Sequence, residues 1–199
     1  MAAPPSEPVS RIVTATTALS NRSFLGRSFA RRDAGDSNKG EQEGPKGPLG
    51  LTTLSVPEGQ VVADLIFVHG LNGGSRSTWS RAADGTFWPQ DWLSCDDAFH
   101  DVRIHTFGYS SGLNHDSVLN VHDFASNLLA CIYHSPAITS STSSPVLFVG
   151  HSMGGLVVKK TYILARQLPE YNNLADKIRA IFFLATPHHL DRWGFKLPF

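Results

Sequence analysis

The stretch PVLFVGHSMGGLVV, Pro145 to Val158, constrains this chain more than any other. An apolar run of β type stops at Gly150, a hydroxyl follows at Ser152, and an apolar run of helical type starts at once. Gly150-His151-Ser152-Met153-Gly154 fits G-x-S-x-G, the pattern that sets a serine on a sharp strand-to-helix turn with its Oγ clear of the backbone. Such a turn strains the serine and crowds the positions two before and two after it, where Gly150 and Gly154 carry no side chain to collide. Gly155 lets the following helix pack close to the sheet. So short a pattern also arises by chance, and a plain strand–helix turn with an incidental serine is the alternative; the flanking strand and helix favour the elbow. The helix aims its first amides and the positive end of its dipole at any oxyanion formed beside Ser152.

The rest of the chain supplies the elements such a turn requires. LTTLSV (51–56) reads as a short strand, and ADLIFVHG (63–70) as a strand buried on both faces, because its apolar run is unbroken. One or two short helices surround Trp88 to Leu93, and DVRIHTFGY (101–109) gives a third strand. Val118, Val121, Phe124, Leu128, Leu129 and Ile132 recur at helical spacing and predict a helix over 117–135. TSSTSS (139–144) reads as a polar loop, and Ala180 to Ala185 as a fifth strand. Strands alternating with helices predict an α/β fold, a parallel sheet flanked by helices. Residues 48–190 form this domain and 191–199 diverge from it. Residues 1–47 read as a disordered Arg/Ser-rich tail and linker. From Met1 to Arg32 its basic residues Arg11, Arg22, Arg27, Arg31 and Arg32 face Glu7 alone, so a solvated tail and an organelle-import presequence are both open.

Composition removes several classes of function. At 199 residues with 41% hydrophobic content, the chain can bury the core of one domain. Its 17 Lys+Arg balance 17 Asp+Glu, which provides no electrostatic footprint for nucleic acid or an anionic membrane. Cys95 and Cys131 read as free thiols of a reducing compartment, with no Cys/His cluster for a metal and no cofactor motif. No apolar run approaches the roughly 20 residues of a membrane span. The expected domain is soluble and intracellular, without metal or cofactor.

Taken together, DLIFVHGLNGGSRSTW, VRIHTFGYSS, VLFVGHSMGGLVVKKTYILA and AIFFLATPHH resemble the amino-terminal esterase-like domain of fungal NACHT-type receptor proteins. They are also similar to serine-active-site-containing proteins and GPI inositol-deacylase-like lipases within the α/β-hydrolase superfamily. The resemblance implies an α/β-hydrolase sheet, Ser152 as catalytic nucleophile, and carboxylic esters, of lipids or small molecules, as substrates. In that superfamily one oxyanion donor is the amide after the nucleophile, here Met153, and the other comes from the loop after an earlier strand. His69-Gly70-Leu71-Asn72-Gly73-Gly74 matches that loop and makes the Leu71 N–H the second donor; an ordinary Gly-rich turn is its plainer reading. His69, Tyr109 and His188 are candidates for the substrate rim. Some relatives are associated with mitochondria or the endoplasmic reticulum, which supports the presequence reading against a cytosolic one.

A serine needs a base, and the superfamily's chain order is serine, acid, histidine. After Ser152 the candidates are Asp176, Asp191, His188 and His189. The two histidines lie only one strand beyond the nucleophile, where two or more strands are usual, so they read as rim or structural residues. His69, His122 and His151 precede the serine and read as packing or loop residues. After Thr186-Pro187-His188 the family pattern continues with a basic residue, glycine and serine, whereas this chain reads His189-Leu190-Asp191-Arg192-Trp193. The sheet therefore reads as truncated after the strand that follows the nucleophile helix. Two functions stay open: a serine esterase or lipase-like enzyme impaired by the missing acid and histidine, or a non-catalytic interaction module on the hydrolase fold in signalling or lipid homeostasis.

Overall fold

Strand β2 (Ala63–Val68) is the central strand of the sheet, with all six residues buried. Its unbroken apolar run, Asp64 apart, is what a strand covered on both faces requires. A computed structural model describes residues 45–112, 120–141 and 144–188, all within the unit Gly40–Phe199. Five strands pair in the order β1-β3-β2-β4-β5, the others being β1 (Gly50–Ser55), β3 (Val102–Gly108), β4 (Val146–His151) and β5 (Ile178–Leu184). β2 pairs in parallel with β3 and β4, and β4 with β5. β1 pairs antiparallel with β3, so the sheet is mixed where an all-parallel one was expected. The turn into β1 passes through Gly50 at φ 80, a conformation glycine adopts without penalty.

Alternation splits the core in two. Ile66, Val68, Phe107, Val146 and Phe148 face helices α2 (Val121–Tyr133) and α4 (Met153–Gln167). Leu65, Phe67 and Ile104 face Trp79 and Phe87 in the connection between β2 and β3. That connection holds the short helix α1 (Trp88–Asp91) and three single-turn 3₁₀ segments. Helix α2 starts on a capping box: Asn120 accepts from the His122 and Asp123 amides, and Asp123 accepts from the Asn120 amide.

Sequence expectations and structure differ mainly at short elements. The polar loop expected at 139–144 is partly helical, since α3 (Pro136–Thr139) takes its first residue; residues 142 and 143 lie outside the described residues. α5 (Asn172–Lys177) runs into β5 without a loop, so that strand starts at Ile178 and not Ala180. Expectations for residues 1–44, 113–119 and 189–199 also lie outside the described residues.

Candidate active site

The chain leaves β2 toward β3 on one side, and leaves β4 toward β5 on the other. The carboxyl ends of β2 and β4 therefore form the switch point at which open parallel sheets bind ligands. Both motifs singled out in the sequence sit there. Ser152 follows β4 directly and caps α4 at φ 52, ψ −124. A non-glycine residue there is strained and held by its surroundings; the Ser152 amide donates to the Leu184 carbonyl of β5 at 2.8 Å. A side-chain carbon at Gly154 would overlap the Val68 and His69 carbonyls, and one at Gly150 would come within 2.6 Å of Gly155 Cα. The elbow exists because glycine stands at these positions. Met153 opens the first turn of α4, where amides have no helical acceptor.

The loop after β2 reaches the elbow through Gly70. A Cβ there would lie 2.7 Å from Ser152 Cβ and 3.0 Å from the His151 carbonyl, so only glycine permits the approach. Leu71 and Asn72 form the corner of a turn closed by the Gly73 amide on the Gly70 carbonyl at 3.1 Å. Asn72 takes φ 57, which asparagine tolerates better than most residues. Asn72 donates its amide to Ser111 O at 3.2 Å. The Leu71 N–H makes no hydrogen bond among the described residues.

His69 and Tyr109 lie beneath the site and not on its rim, with exposures of 0% and 7%. Their rings stack with centroids 4.2 Å apart. Both spend their polar atoms on backbone: His69 Nδ1 contacts Gly70 O at 2.9 Å, the Tyr109 amide donates to His69 Nε2 at 3.2 Å, and the Tyr109 hydroxyl donates to His69 O at 2.7 Å. Burial holds the His69 imidazole below its ordinary pKa, with the Lys46 charge adding to the effect. Burial pushes the Tyr109 hydroxyl up. Beside the loop opens a cavity of about 440 Å³, lined by Lys46, Asn72, Ser110 and Ser111 among others, with His69 and Tyr109 in its wall.

His188 is exposed, but it leans on α4: its Nδ1 lies 2.7 Å from Lys159 Nζ and its ring stands edge-on to Phe183 at 4.9 Å. Lysine only donates, so Nδ1 is the acceptor there. Asp176 is paired with Arg166 at 2.6 Å. Asp191 and His189 lie outside the described residues. Among the described residues no side chain hydrogen-bonds Ser152 Oγ. His151 points to the opposite face, where its ring meets Trp79 at 6.3 Å and its buried Nδ1 has no partner among the described residues.

A second polar cluster, hardly visible in the sequence, lies at the other end of the sheet. Asp64, fully buried, accepts from Arg103 Nε at 2.7 Å and Nη2 at 3.2 Å, and lies 2.9 Å from His105 Nε2. His105 Nδ1 lies 3.0 Å from Thr53 Oγ1. Burial raises the Asp64 pKa, but the hydrogen bonds from His105 and Arg103 and the Arg103 charge more than offset it, leaving it below the ordinary value. The cluster spans β1, β2 and β3, and Arg103 also donates to the Ala137 carbonyl of α3. One acid among apolar neighbours in ADLIFV is its only trace in sequence.

Residues 58–196 match a family described as PGAP1-like alpha/beta domain. Protein SERAC1 of Mus musculus is 31% identical over 152 residues, covering 66% of this chain and 22% of that protein. Protein SERAC1 of Bos taurus is 30% identical over 149 residues, covering 65% and 22%. The chain thus spans about a fifth of the length of these relatives. Among solved structures, a lipase-esterase related protein from Clostridium acetobutylicum aligns over 73% of this chain and 50% of its own. Its TM-score is 0.45 and its identity 17%.

Proposed function

The chain belongs to the PGAP1-like alpha/beta domain family, within the α/β-hydrolase superfamily, and from that premise we propose that it is a serine ester hydrolase domain. Ser152 is the nucleophile, the Leu71 and Met153 amides hold the oxyanion, and the substrates are carboxylic esters, lipid esters among them. The observation that carries this reading is Ser152 at φ 52 with Gly70 packed against it, a strained serine close to a loop whose Leu71 amide has no hydrogen-bond partner among the described residues. The chemistry needs no cofactor: the Ser152 oxygen attacks the ester carbonyl, its proton passes to a base, the alcohol leaves, and water hydrolyses the acyl-serine. Association with mitochondria or the endoplasmic reticulum, through Met1 to Arg32, belongs to the same proposal.

Of the acid and imidazole candidates that follow Ser152, the two among the described residues are engaged elsewhere, His188 by Lys159 and Asp176 by Arg166, and Glu170 lies exposed in the segment between α4 and α5. Turnover by the 199-residue chain is therefore expected to be slow, about 10⁴-fold or more below that of a complete triad. The test is hydrolysis of p-nitrophenyl butyrate by the purified chain beside its Ser152→Ala variant. Weak turnover that disappears in the variant supports the enzyme. Turnover equal in both sinks Ser152 and favours the interaction module. Robust Ser152-dependent turnover would mean that His188 or His189 serves as base.

A further inference from the structure

The Gly70 carbonyl is contacted by three donors: the Gly73 amide at 3.1 Å, the Ser111 hydroxyl at 3.2 Å and His69 Nδ1 at 2.9 Å. A carbonyl oxygen has two lone pairs, so this acceptor is more than satisfied. The donors come from its own turn, from the segment after β3 and from the end of β2. They fix the direction of one C=O bond. That bond shares a peptide plane with the Leu71 N–H, and no described peptide bond is cis. In a trans peptide the N–H points opposite to the C=O, so the three donors on the oxygen also aim the Leu71 proton, away from His69 and Ser111.

His69 can donate through Nδ1 only in one tautomer. The Tyr109 amide, a donor, occupies Nε2 at 3.2 Å, which leaves the ring proton on Nδ1. The Tyr109 hydroxyl in turn holds the His69 carbonyl at 2.7 Å. Ser111 is anchored from the other side, since its carbonyl accepts the Asn72 amide at 3.2 Å. His69, Tyr109 and Ser111 are all buried, at 0%, 7% and 4% exposure, so water does not compete for these bonds. On the far side of the same peptide, the position of a Cβ on Gly70 lies 2.7 Å from Ser152 Cβ.

We propose that His69, Ser111 and Tyr109 form a bracket that aims the Leu71 N–H at the oxyanion generated beside Ser152. None of the three touches the reacting atoms; each is a positioning residue acting through the Gly70–Leu71 peptide. The proposal rests on the reading of Ser152 as nucleophile and adds which side chains prepare its oxyanion site. Preorganised donors lower the barrier because they need no reorientation as charge develops.

Two measurements on the full chain test it. Long-range ¹H–¹⁵N NMR reads the His69 tautomer, with the proton expected on Nδ1 and none on Nε2 at neutral pH. Hydrolysis of p-nitrophenyl butyrate, corrected with Ser152→Ala, is expected to fall about tenfold in kcat for Ser111→Ala at unchanged KM, part of the 10² to 10³ lost when a donor is removed outright. His69→Asn, whose amide can replace the Nδ1 donor, should retain more kcat than His69→Leu. If His69→Leu fails to fold, Ser111→Ala and the tautomer decide. A proton on Nε2, or unchanged kcat in a folded Ser111→Ala chain, overturns the bracket while the nucleophile stands. Hydrolysis that survives Ser152→Ala removes the nucleophile and with it the bracket's purpose, even if the tautomer is as expected.

Discussion

At the scale of single residues, strain and glycine placement carry the site. Ser152 at φ 52 sits where an L side chain costs about 1–3 kcal/mol, while glycine gives back roughly 0.5–1 kcal/mol through the entropy of the unfolded chain. Ser152→Gly is therefore expected to unfold at higher denaturant than Ser152→Ala, by about 1 kcal/mol. Both variants lack the hydroxyl, so their difference reports the backbone alone, and equal midpoints would mean that the elbow stores no strain. This part of the site was legible in sequence because it is local: Gly150, Ser152, Gly154 and Gly155 fall within six positions of one another. For His69 and Tyr109 the sequence supports a place on the substrate rim and nothing finer. Their roles depend on bonds between residues 40 apart, and no spacing along the chain records that.

At the scale of elements, the strands were legible and their direction was not always so. β2, β4 and β5 are near-continuous apolar runs, the pattern of parallel strands, although β5 carries no fully buried residue. β1 carries no mark of its antiparallel pairing, since GLTTLS would suit either direction. α3 and α5 leave no signal in the sequence because four and six residues are too few to show a helical period. What ties β1, β2 and β3 to one another and to α3 is the Asp64 cluster. Its carboxylate is ionised more readily in the fold than its ordinary value of 3.8 implies. The lowered pKa makes the unfolded chain bind more protons below that value, so the Asp64 contribution is complete above about pH 4 and is lost as pH falls through the folded pKa. Asp64→Ala leaves Arg103 buried without its partner and is expected to cost about 3–5 kcal/mol at neutral pH. Denaturant titrations at neutral pH and near pH 3 check both points: the difference between parent and variant should shrink on acidification. A gap that is constant with pH would show that Asp64 is not the group being protonated.

At the scale of the whole molecule, the two faces of the sheet are not equally covered. α2 and α4 close one face, whereas the short helices between β2 and β3 shield β2 and β3 on the other. Strand β5 lies beyond their reach, and on that face Phe182 and Leu184 stand 54% and 43% exposed. Among the described residues β5 has a strand partner on one side only, β4. An unpaired edge beside exposed aromatic and aliphatic side chains is an open template for another chain. The same strand also braces the elbow, because the Leu184 carbonyl receives the Ser152 amide; anything that pairs with β5 stiffens the site as well as hiding apolar surface. In isolation the chain is therefore expected to self-associate as its concentration rises, with β5 against β5 of a second copy. Sedimentation velocity across a concentration series should show this for the parent. The double variant Phe182→Lys with Leu184→Lys should remain monomeric, since lysine on an edge strand opposes pairing while its stem still covers the sheet. Matching far-ultraviolet circular dichroism would confirm that both chains are folded. A parent that stays monomeric throughout, or a double variant that associates as readily, would show that this edge is not the contact.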